Sequence, residues 1–77
     1  MKKEFKTRDL LTAAILKAKG AKLIGIDWKG NYAQFVFDNS DKTVDVIVDE
    51  IASSKSYVDI GELIKAFKAM KVLLENQ

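Results

Sequence analysis

The sequence predicts a small α+β fold of order α-β-β-α-α, in which helices cover one face of a two-stranded antiparallel hairpin. Three observations carry this expectation. Apolar residues recur at helical spacing around Leu11–Ala18, Val44–Ile51 and Ile60–Leu74. Between the first two of these stretches, two runs of alternating character flank Gly30-Asn31, a dipeptide suited to a two-residue hairpin turn. The chain is 77 residues long, enough for a single domain over residues 1–77.

The first helix is expected from Arg8 to Lys19, with Leu11, Ile15 and Ala18 in register and Leu10, Ala14 and Leu16 beside them. Thr7 suits its N-cap and Asp9 places negative charge in its first turn. Lys17 and Lys19 fall in its last turn, and Gly20 suits the left-handed C-cap position. Its wide, alanine-rich apolar set suits a central helix packed closely against its neighbours.

Ala21 to Lys29 and Tyr32 to Asp38 read as strands. A two-residue loop pairs Trp28 with Ala33, Ile26 with Phe35 and Ile24 with Phe37, so six apolar side chains share the covered face. The open face then receives Lys29 with Tyr32, Asp27 with Gln34, Gly25 with Val36 and Leu23 with Asp38. A slip of one residue would exchange the faces of one strand and destroy this separation.

Asn39 to Thr43 carries turn and cap residues. Val44, Ile47, Val48 and Ile51 then follow helical spacing, against a competing strand reading in which Val44, Val46 and Val48 alternate. Ile47 and Ile51 fit only the helix, which we therefore prefer. Ser53 to Ser56 reads as a loop. Asp59 caps the last helix with Glu62 three residues on, and Val58 and Leu63 form a hydrophobic staple. Its core stripe is Ile60, Leu63, Ile64, Phe67, Met70 and Leu74, with Lys65, Lys68 and Lys71 opposite.

Composition restricts the chemistry. Apolar residues make up 48% and charged residues 31%, and Cys, His and Pro are absent, which removes thiolate and imidazole metal ligands, thiol nucleophiles and the usual general base near pH 7. An enzyme is not expected, nor is a cofactor or a metal. The basic start lacks a proper apolar segment and cleavage site, and no apolar run approaches the roughly 18 residues of a membrane span. The expected location is cytoplasmic.

The motifs favour structural roles. Gly20, Gly25 and Gly30 match neither a dinucleotide fingerprint nor a phosphate loop, although Gly25 in mid-strand permits close approach by another backbone. Asp38, Ser40, Lys42 and Asp49 superficially suggest a calcium loop, but a lysine stands at one ligand position and Thr43 at the glycine position. Ser53, Ser54, Lys55 and Ser56 read as a connector and not as a serine–lysine nucleophile. Asp45, Asp49 and Glu50 read as a solvated helix face. Trp28, Phe35 and Phe37 read as core, because stacking with RNA needs aromatics on the open face.

Charge is unevenly spread along the chain. Residues 1–30 carry eight Lys/Arg against three Asp/Glu, residues 31–59 two against six, and residues 60–77 three against two. Such poles attract neighbouring elements or a second copy, or steer a polyanion.

Phe5-Lys6-Thr7-Arg8-Asp9-Leu10, Ala13-Ala14, Leu16, Ala18-Lys19-Gly20, Leu23-Ile24-Gly25-Ile26, Phe35-Val36-Phe37, Val58-Asp59 and Glu62-Leu63 resemble a family of short uncharacterised proteins of bacteria and their phages. The resemblance implies a small phage or mobile-element accessory protein and no activity, cofactor or catalytic residue.

Two functions follow as expectations. The first is a non-enzymatic protein-interaction or assembly module that uses the open hairpin face and the acidic helix, a homodimer that completes the bare-edged hairpin by edge pairing or through Leu23, Gly25 and Val36 on its open face. The alternative is a weak single-stranded nucleic-acid binder that uses Lys17, Lys19, Lys22 and Lys29 for phosphates and Tyr32 for stacking.

Overall fold

The computed structural model describes residues 3–55 and 57–75. Its elements are β1 (Glu4–Thr7), α1 (Leu10–Ala18), β2 (Leu23–Lys29), β3 (Tyr32–Asp38), α2 (Thr43–Ala52) and α3 (Ile60–Glu75). The class is α+β as expected, but the order gains a strand at its start. Among the described residues the sheet is three-stranded and antiparallel, ordered β1-β3-β2. The edge of β3 that was expected to stand bare is filled by the chain's own Glu4–Thr7.

β1 forms because Glu4, Phe5, Lys6 and Thr7 alternate, turning Phe5 onto the core side opposite Phe37 while Lys6 lies opposite Val36 on the other face. This displaces the expected helix start. Asp9, in extended conformation at ψ 115°, is the N-cap of α1, and its carboxylate accepts the Thr12 N–H at 3.2 Å. Thr7, expected to cap, instead accepts the Asp9 N–H on its hydroxyl at 3.1 Å. At the far end Gly20 takes φ 94°, and the Ala21 and Gly20 N–H groups return to the Leu16 and Lys17 carbonyls. That pair of hydrogen bonds is a Schellman cap, and it uses the glycine as predicted.

The hairpin turn has positive φ at Gly30, 73°. The predicted register holds from Lys29↔Tyr32 through Trp28↔Ala33, Asp27↔Gln34 and Ile26↔Phe35 to Gly25↔Val36. Beyond it the strand bulges, so Leu23 and not Ile24 lies opposite Phe37. The bulge corrects two assignments: Leu23 belongs to the covered face and packs on the core, while Ile24 is 52% exposed. Trp28, also expected in the core, lies near the turn and is 44% exposed.

α2 is helical, and the exposure of Val46 beside buried Val44 and Ile47 excludes the strand alternative. Its start is capped from a distance. Buried Asn39 accepts the Val44 and Asp45 N–H groups on its side-chain oxygen at 3.1 and 3.3 Å and donates its amide to Asp45 at 2.9 Å. Its own N–H reaches the Lys3 carbonyl at 2.8 Å, so one residue joins the sheet to the helix layer. The helix ends in a second Schellman cap with Ser54 at φ 60°. Of the predicted Ser53–Ser56 loop, Ser56 lies outside the described residues.

Asp59 caps α3 as predicted, accepting the Glu62 N–H at 3.0 Å. The inward line of this helix, however, is rotated. Of the expected stripe Met70 is buried and Leu74 packs on the core, but Ala66 is buried and Leu73 packs on the core beside them, while the expected core residues Ile60 and Ile64 are exposed. α1 and α3 make the most extensive contact between helices. Small buried residues, Ala13 and Ala14 on α1 and Ala66 on α3, fit that close packing.

A cluster of Ala13, Leu16, Phe35, Phe37, Val44, Ile47 and Met70 joins all three helices to one sheet face. Each fully buried phenylalanine in it contributes about 1.5–3 kcal/mol of transfer free energy. The shortest dimension, 18 Å, fits one sheet and one layer of helices about 10 Å thick.

Candidate functional site

The open sheet face was the first candidate surface, and its residues build a charged ladder. Lys6 on β1 reaches across the central strand to Asp27 on β2 at 3.1 Å, and Lys29 meets the same carboxylate from its own strand at 3.3 Å. Two cations on one acid hold the Asp27 carboxyl below the usual aspartate range, with the Lys6 hydrogen bond the larger cause. Between the outer strands Val36 is 7% exposed, flanked by Lys6 and Gly25. A Cβ at Gly25 would meet nothing within 4 Å, so packing within the chain does not demand the glycine. Of the three residues expected to self-associate, Gly25 and Val36 share this face and Leu23 does not.

The residues expected to bind nucleic acid are scattered. Lys22 and Lys29 bound β2, roughly 23 Å apart at a strand's rise. Lys29 is paired with Asp27, and Tyr32 carries the Arg8 guanidinium 4.0 Å from its ring centroid. Lys19 donates to the Tyr57 carbonyl at 2.7 Å and lies 3.8 Å from Glu50, tying the end of α1 to the chain before α3. Lys17 and Lys22 are exposed near the opposite end of β2 from Tyr32. Only Lys29 and Tyr32 come together, beside Arg8, which the sequence reading had left out. Arg8 directly follows β1, and the pairing of Glu4–Thr7 with β3 brings it beside Tyr32, a tertiary contact that the sequence alone does not signal.

The acidic residues of the calcium-like stretch serve local turns. Asp38 accepts the Ser40 N–H and Asp41 the Thr43 N–H, and these bonds lower both carboxyls below the ordinary value. No group of three or more His, Cys, Asp or Glu is placed to hold a metal ion among the described residues. No helix among them is long and apolar enough to cross a membrane.

A third surface was missed by the sequence reading. On the outer side of the α1–α3 contact lies a groove of about 250 Å³ walled by Leu11, Leu63, Ile64, Phe67 and Lys68. Leu11 and Ile64 are half exposed, and Ile60, one turn earlier on α3, is 70% exposed. The signal was present as surplus: α3 carries more large apolar residues than one buried stripe can use.

A family model matches residues 2–76, nearly the whole chain, and its description is a domain of unknown function. The chain belongs to the DUF5659 family. No curated protein and no solved structure matches it.

Proposed function

We propose that the protein is a non-enzymatic interaction or assembly module that docks a protein partner on the apolar face between α1 and α3. One observation carries this reading: Leu11, Ile60 and Ile64 are left to solvent around an apolar groove, on the helix pair that packs most closely. Contiguous exposed apolar surface with a polar rim marks interaction sites, whereas scattered exposed residues do not. The accessory role in a phage or mobile element implied by the resemblance is part of the same reading. The open sheet face is the poorer docking candidate for a protein, because the Lys6–Asp27–Lys29 contacts cover it with charged groups.

Affinity capture with wild-type and Ile64→Glu baits, each with and without nuclease, tests the reading. Protein capture that survives nuclease and is lost with Ile64→Glu supports docking on this face. Capture that disappears with nuclease, or that ignores the substitution, overturns it.

Weak single-stranded nucleic-acid binding is the second reading, and the gathering of Arg8, Lys29 and Tyr32 at the turn end of the sheet favours it. A base would stack on the Arg8 guanidinium plane that lies over the tyrosine ring. Anisotropy of a labelled oligonucleotide at low salt, abolished by Tyr32→Ala together with Lys29→Glu, is its expected signature.

A further inference from the structure

The strand edges and the open sheet face are poorly suited to receive a second chain. β1 is only four residues long, and β2 is bulged at Ile24 with a lysine at each end, features that hinder strand addition. The open face is bridged by the Lys6–Asp27–Lys29 contacts. The flank of α3 has no such protection.

We propose that this flank is the contact between two copies of this chain, packed with their α3 helices antiparallel about a two-fold axis near Ile64. The proposal rests on the docking reading above and names its occupant. A two-fold contact requires a patch that complements itself, so that each chain offers both the projection and the recess. Here both belong to one face: Ile60 projects, and Leu11, Leu63, Ile64 and Phe67 wall the recess. At the helical rise Ile60 stands about 6 Å from Ile64 on one side, and Phe67 and Lys68 about 4.5 and 6 Å on the other. Antiparallel pairing therefore sets each Ile60 level with the groove of the other chain.

Charge selects the same orientation. Tyr57, 84% exposed, and Asp59 precede the apolar stretch, whereas Lys68 and Lys71 follow it. Antiparallel copies bring the lysines of each level with the ring and carboxylate of the other, where ion pairing and cation–π attraction are available. Parallel copies would set lysine against lysine. The macrodipoles of adjacent antiparallel helices also attract. A chain of 77 residues buries a small fraction of its surface for a folded domain, so burying this face adds proportionately more to its stability.

The chain contains no cysteine, which makes single-cysteine variants unambiguous. Ile64→Cys is expected to form a covalent dimer rapidly under mild oxidation, and Val46→Cys on the outer face of α2 is not. Sedimentation equilibrium up to about 200 μM is expected to show a monomer–dimer equilibrium that Ile64→Asp weakens by at least about tenfold and Lys68→Glu by less. Circular dichroism reports whether the half-exposed Ile64→Asp variant keeps its fold, and if it does not, the cysteine pair decides. A wild-type chain that stays monomeric, or equal crosslinking at both cysteines, overturns the two-copy contact. If nuclease-resistant, face-dependent capture persists with a monomer, only this proposal falls. If that capture is lost as well, the docking reading falls with it.

Discussion

Replacing Leu23 and Ile24 separately by alanine tests the bulge, where the expected register and the structure assign opposite burial to adjacent residues. An unbroken hairpin puts Ile24 opposite Phe37 in the core and leaves Leu23 outside. The structure does the reverse, with Leu23 packed on the core and Ile24 52% exposed. Full burial of a leucine is worth about 1.5–3 kcal/mol, and truncation in a tight core costs about 2–5 because a cavity adds to the transfer loss. Leu23 is only partly buried, so Leu23→Ala should cost about 1.5–2.5 kcal/mol. Ile24→Ala removes a half-exposed side chain and some strand propensity, about 0.5 kcal/mol. The difference of about 1–2 kcal/mol corresponds to a gap in melting temperature of roughly 4–16 °C for a domain this size. Urea unfolding followed by Trp28 fluorescence measures it, with an unchanged m-value showing that the denatured state is not the cause. An Ile24→Ala variant less stable than Leu23→Ala would refute the bulge and return Leu23 to the open face.

Asn39→Ala should cost about 2 kcal/mol by urea denaturation, because it strips the buried Val44 N–H and the part-buried Asp45 N–H of their acceptor at the helix start. Ser54→Gly and Lys42→Gly should each raise stability by about 0.5–1 kcal/mol in the same assay. Both residues hold positive φ, which costs a non-glycine residue roughly 1–2 kcal/mol, partly offset by the entropy of the freer glycine. Asp9, Asp27, Asp38 and Asp41 all titrate lower in the folded chain than the 3.8 of an unperturbed aspartate. The unfolded chain therefore takes up more protons as pH falls, and stability that is whole at neutral pH should be lost progressively below about pH 4. Urea midpoints at successive pH values check this, and a midpoint unchanged between neutral pH and pH 3 would contradict it.

The elements that could be read from sequence were those in which two local signals agree. Gly30-Asn31 and the alternation on either side of it point to one hairpin, and Ile47 with Ile51 points to a helix despite the β-branched residues of α2. Gly20 and Asp59 mark helix ends because their chemistry is local. What could not be read depends on tertiary contact. The alternation of β1 spans four residues, too few to distinguish from chance, and only pairing with β3 makes it a strand. The bulge leaves no trace because Leu23 and Ile24 are both apolar, so either can face the core. On the surface, the scattered lysines share a region of sequence but not of space, because β2 carries Lys22 and Lys29 to opposite ends.

The rotation of α3 has a different origin, and it bears on function. Ile60, Leu63, Ile64, Phe67, Met70, Val72, Leu73 and Leu74 are too many for one buried stripe, and the pattern alone allows either flank to face inward. Close packing against α1 settles the choice, since Ala66 admits a neighbouring helix where a larger side chain would hold it off. The isoleucines displaced by that choice face water on a helix where glutamate, lysine or alanine would favour the helix at least as well and favour solubility more. Their presence costs the isolated chain an exposed apolar face and gives a docked chain the transfer free energy of about 1.5–3 kcal/mol for each isoleucine fully buried. The folding of one chain therefore gains little from Ile60 and Ile64, whereas the proposed association on the flank of α3 would give both residues an energetic role.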